Sequence, residues 1–129
     1  MSFVMIPTSF GELVDKITIL EIKSERFLEN EKLNNVRYEL DFLNKILGKR
    51  DDMPSALFAL KDELRHINET LWDIEDRIRR CEQHKDFGAA FVELARSVYI
   101  TNDRRTDIKR RINELSGSAI REEKAYPAY

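Results

Sequence analysis

Two runs of apolar residues spaced alternately three and four apart lie end to end in this chain. The first is Leu57, Leu60, Leu64, Ile67, Leu71, Ile74, Ile78 and Cys81. The second is Phe87, Phe91, Leu94, Val98, Thr101, Arg105, Ile108, Ile112 and Leu115. Residues three and four apart fall on one face of an α-helix, so each run predicts a long helix with a single seam. The polar residues between them, Glu82 to Asp86, suffice only for a tight reversal. The chain is therefore predicted to be all-α: a long antiparallel helical hairpin with two shorter packed helices, bundle-like with four helices in all. The second seam breaks its own rule at Thr101 and Arg105, which makes that stretch the place to look for function.

The shorter helices precede the hairpin. Ser9-Phe-Gly-Glu12 is a capping-box pattern, in which Ser9 accepts from the Glu12 amide and Glu12 reaches back. Phe10, Leu13, Val14, Ile17, Leu20 and Phe27 continue it as a helical stripe, predicting helix 1 over about 10–28. Asn30 is a candidate cap for helix 2, whose stripe is Leu33, Val36, Leu40, Leu43 and Leu47, with Gly48 placed to end it. Lys49 to Met53 read as a charged connector. Pro54 suits the first turn of helix 3, over about 54–82. Asp86 is a candidate N-cap for helix 4, over about 87–116, and Gly117 ends it. Residues 1–117 read as a single helical domain and 118–129 as a tail, with Ile120 and Tyr126 as anchors.

Composition narrows the function classes. Of 129 residues 42% are hydrophobic and 36% charged, and four Gly and three Pro are too few for the turns of a β-sandwich or barrel. Lys and Arg number 22 against 24 Asp and Glu, so no domain-wide basic field points to nucleic acid. No run approaches the roughly 20 apolar residues of a membrane span, and no signal peptide is evident. The lone Cys81 has no internal disulfide partner and reads as a buried hydrophobe on the seam. The chain reads as cytoplasmic.

Phe10 to Arg26, Asn68-Glu-Thr-Leu-Trp-Asp-Ile-Glu-Asp76, and Leu94 to Tyr99 with Thr101-Asn-Asp-Arg-Arg105 resemble a small uncharacterised bacterial all-helical family. The resemblance implies a helical fold and carries no activity. Asp15 to Arg26 is also similar to the charged, Ile/Leu-rich N-terminal helix of helical chorismate mutases.

Candidate site residues come from one flank of the hairpin. Folding about the bend brings positions near 72 opposite those near 97, and positions near 68 opposite those near 101. Asn68, Trp72, Glu75, Tyr99, Asn102, Arg105 and Lys109 then share a flank that mixes aromatics, amides and both charge signs. The functional reading is a shallow polar pocket for a small anionic ligand, walled by Trp72 and Tyr99. The competing reading is that helices 1 and 2 dock here and take Trp72 into the core. Arg105, on an apolar seam, needs a partner or a route to solvent; Glu12, Glu21, Asn68 and Thr101 are the candidates.

Other chemistry is weakly signalled. Glu63-Leu-Arg-His66 has the Glu-x-x-His spacing of di-iron bundles but lacks a second copy. Cys81-x-x-His84 is half a zinc site. No metal or cofactor is expected. Glu69, Asp73 and Asp76 share one side of helix 3, as do the carboxylates of magnesium-dependent nucleotide pyrophosphohydrolases. The sequence expectation is a non-catalytic interaction or small-ligand-binding module that forms a homodimer. The alternative is an enzyme on a helical bundle, either such a hydrolase or a mutase-like catalyst.

Overall fold

The computed structural model describes residues 2–49, 53–120 and 123–128. Its helices are α1 (Phe10–Arg26), α2 (Asn30–Gly48), α3 (Ala56–Gln83) and α4 (Ala89–Ser116), packed as an all-α bundle with no strand among the described residues. Helices α3 and α4 have 28 residues each, roughly 42 Å at 1.5 Å per residue. They pair closely along the hairpin. Of the expected connector 49–53, residues 50–52 lie outside the described residues, as do 121, 122 and 129 of the tail.

The helix ends differ from the sequence reading by local hydrogen bonding. Helix α1 starts as expected, with the Ser9 hydroxyl accepting from the Glu12 N–H at 3.0 Å. It stops at Arg26, because Phe27 is already extended at ψ 138°. Gly48 is the last residue of α2 rather than a left-handed cap, and Glu29, not Asn30, is the N-cap. Pro54 lies before α3, its carbonyl accepting from Leu57 in a turn. Asp86 does not cap α4: its carboxylate accepts from Gly88 N–H at 3.1 Å, and Gly88 is the N-cap. Phe87 is thereby left outside the helix, 51% exposed, edge-on to Phe91 at 5.3 Å. Gly117 ends α4 at φ 67°, as expected.

Helix α1 is the hub. It packs against α2, α3 and α4, whereas α2 approaches α1 alone. A helix with three neighbours must bury more than one stripe. Gly11, Val14, Asp15, Ile17, Thr18, Leu20 and Ile22 are all buried. The core joins Val14 and Ile17 to Leu47, to Leu57, Leu64 and Ile67, and to Ile108 and Ile112. Cys81, near the bend, is only half-buried.

The start of α1 presses against the end of α4 without a spare ångström. The Gly11 N–H donates to Asn113 Oδ1 at 2.7 Å, and the Phe10 N–H to Ser118 Oγ at 3.3 Å. A Cβ on Gly11 would lie 2.7 Å from the Lys109 carbonyl oxygen and 2.9 Å from Asn113 Oδ1. In an exposed helix Gly→Ala stabilises by up to about 1 kcal/mol; here the sign inverts. Gly11→Ala is expected to lower the unfolding free energy by about 1–3 kcal/mol in urea titrations, the cost of overpacking. Gly48→Ala, with nothing within 4 Å of the new methyl group, is expected not to lower it.

Candidate functional site

At mid-height of the bundle a carboxylate is buried between three helices. Asp15 of α1 has a side chain only 4% exposed. Arg105 of α4 grips it as a fork: Nε donates to Oδ1 at 2.9 Å and Nη2 donates to Oδ2. Asn68 of α3 donates from Nδ2 to the same Oδ1 at 2.9 Å and to Thr18 Oγ1 at 2.9 Å. Thr18 in turn donates to the Asp15 carbonyl at 2.8 Å. Bidentate arginine pairing with a donor on each oxygen is what a buried carboxylate requires.

One turn along, Lys109 Nζ donates to Glu12 Oε1 at 2.5 Å, with Lys109 nearly buried and Glu12 half open to solvent. On the α3 side, Glu21 accepts from Lys61 at 3.2 Å, and Arg65 bridges Glu25 and Glu69. The Arg65 guanidinium is held above the ordinary arginine range, first by the Glu25 hydrogen bond, against burial, and then by Glu69.

Arg105 borders two cavities. The first, about 540 Å³, is lined by Val98, Tyr99, Asn102, Asp103, Arg105, Thr106 and Lys109 of α4, closed by Lys124, Tyr126 and Pro127 of the tail. Lys124 Nζ donates to Asp103 Oδ1 at 3.2 Å, which lays the tail along α4. The Tyr99 side chain is also hydrogen-bonded to Arg96, and this is the largest influence raising the Arg96 guanidinium above its ordinary range. The second cavity, about 340 Å³, lies between α1 and α3 and is lined by Ile19, Ile22, Asn68, Leu71, Trp72, Glu75, Asp76, Arg79 and Arg105. Trp72 has Phe27 at 6.0 Å between ring centroids and the Arg26 guanidinium 5.6 Å from its ring.

The profile of a family of unknown function, DUF6165, matches residues 4–129. The chain belongs to the DUF6165 family. No curated protein and no solved structure matches it. The match covers all four helices of this DUF6165 chain and the tail that borders the first cavity.

The seven residues singled out from the sequence are thus divided. Tyr99, Asn102, Arg105 and Lys109 border the first cavity; Asn68, Trp72, Glu75 and Arg105 border the second. Trp72 and Tyr99 are not opposite walls of one pocket, because α1 docks over Trp72. The need for a partner at Arg105 is met, but by Asp15. Glu12 serves Lys109, and Glu21 serves Lys61. Asp15 sits beside the Val14/Ile17 stripe. Its spacing to Thr18 and Ile22, three and seven residues on, marks a second inward face. The contribution of the tail had no signal beyond Tyr126.

Two of the three clustered acids of α3 are committed elsewhere, Glu69 to Arg65 and Asp73 to Arg26 at 2.7 Å. No group of three or more His, Cys, Asp and Glu residues among those described could hold a metal ion.

Asn68→Leu keeps the bulk and removes both N–H donors from Asp15 and Thr18. It is expected to cost about 1–3 kcal/mol in urea unfolding, as loss of hydrogen bonds to a buried carboxylate does. Glu25→Ala, removing a mostly exposed partner of Arg65, is expected to cost below about 1 kcal/mol.

Proposed function

We propose that the chain is a non-catalytic, self-associating cytoplasmic module that binds a small organic anion in the cavity along α4. The observation that carries this reading is that two cations, Arg105 and Lys109, border one cavity and are both held in place by carboxylates of α1, the buried Asp15 and the half-exposed Glu12. A cation already ordered loses little freedom when an anion arrives, so preorganisation favours binding. Asn102 and Thr106 add amide and hydroxyl groups. The Tyr99 and Tyr126 rings suit a flat or aromatic body, and about 540 Å³ is in the range of small-molecule sites.

Self-association is supported by the far end of the hairpin. The Arg26–Asp73 pair and the Phe27–Trp72 contact fix the end of α1 near residue 73 of α3. From there α3 runs on to Gln83, about ten residues or roughly 15 Å. On the tip of the hairpin Phe87 and Val92 are exposed. A second copy packed there would cover them.

Titration with 4-hydroxybenzoate, an aromatic carboxylate probe, is expected to raise the melting temperature saturably. Asn102→Ala and Tyr99→Ala are expected to weaken binding at least about fivefold, roughly 1 kcal/mol, without changing the melting of the unliganded protein. A probe that leaves the wild type unmoved, or binds both variants equally, sinks the anion reading. Light scattering at tens of micromolar is expected to give a dimer, and a monomer there removes the self-association.

A further inference from the structure

We infer that the second cavity, between α1 and α3, is a separate binding site for a small organic ammonium ion with an apolar body. The inference starts from the orientation of one amide. Asn68 is 6% exposed, and its Nδ2 lies against Asp15 Oδ1 and Thr18 Oγ1. A carboxylate only accepts hydrogen bonds, so the nitrogen must face Asp15 and the oxygen must point elsewhere. Asn68 borders the cavity, and no donor among the described residues reaches its Oδ1. That oxygen is not sealed in the core, so on the cavity wall it is an open acceptor for a ligand that brings an N–H.

The charges around the cavity select the same ligand. Arg105 is balanced by Asp15 beneath it. That leaves Glu75 and Asp76 against Arg79, three exposed residues without an ion pair among those described. Two carboxylates against one guanidinium favour a cation, and a carboxylate ligand would meet both acids and the lone Asn68 oxygen. The remaining lining is apolar: Ile19, Ile22, Leu71 and the Trp72 indole, a ring that already carries one cation at its face. An aryl or alkyl body on a protonated amine fits that combination, and about 340 Å³ accommodates a small one. Tyr99, Asn102 and Lys109 have no part in this site.

Trp72 is the sole tryptophan and reports directly. Phenethylammonium at neutral pH is expected to change its fluorescence saturably below about 10 mM, with 2-phenylethanol and 3-phenylpropionate at least about tenfold weaker. Glu75→Lys, a change at an exposed residue, is expected to weaken the amine at least about tenfold while the melting temperature holds. Calorimetry checks binding if the fluorescence is silent. No saturation in either readout, a Trp72 fluorescence change as strong with 3-phenylpropionate as with the amine, or an unaffected Glu75→Lys overturns the inference. Because 4-hydroxybenzoate and the Asn102 and Tyr99 variants report only on the cavity along α4, the two sites stand or fall separately.

Discussion

A single buried carboxylate organises this bundle. Taking Asp15 out of water is costly, and the cost is offset only if both its oxygens find donors. Arg105 supplies a fork from α4, and Asn68 supplies an amide from α3. The three helices can satisfy Asp15 only in one rotation and one height relative to each other. Apolar seams alone tolerate slippage, whereas a polar layer penalises every register in which its members miss.

The same layer explains why function-bearing residues cluster where they do. Arg105 replaces an apolar residue in the seam, so the space beside it is not filled by packing, and cavities form on both sides of its guanidinium. Lys109 and Glu12 repeat the arrangement one turn on. Below them, Gly11 lets the α1 backbone approach α4 closely enough to hydrogen-bond Asn113. The Arg105–Asp15 pair, the Lys109–Glu12 pair and the close backbone approach at Gly11 follow one another along one continuous seam between α1 and α4. Reactivity need not follow from such a layer; order does, and ordered charges suit recognition.

Much of the fold was legible because the hairpin seams are long and strictly periodic. The bend, the four helices and the Ser9 and Gly117 caps could all be read from spacing. The local start signals failed where a turn precedes the helix and takes up the residue expected to start it. Asp86 was placed to cap α4 but turned to Gly88, and Pro54 took a turn ahead of α3. The site residues were legible singly, and their grouping was not. A heptad diagram of the hairpin treats it as two helices and so set Trp72 against Tyr99. The third helix, α1, occupies that flank, splits the site and brings in Asp15. The spacing of Asp15, Thr18 and Ile22 marks an inward face of α1, but not which neighbouring helix Asp15, rather than Glu12 or Glu21, meets at Arg105. That follows from α1 having three neighbours at once.

The central claim is that Asp15 and Arg105 act as one unit holding α1 to the hairpin, and a double-mutant cycle in urea tests it. Removing either partner strands a charge, while Asp15→Leu with Arg105→Met strands none. The account predicts that the double variant loses less stability than the sum of the singles, with a coupling of about 2 kcal/mol or more. Losses that simply add, within about 0.5 kcal/mol, would show that the two groups act independently and contradict it.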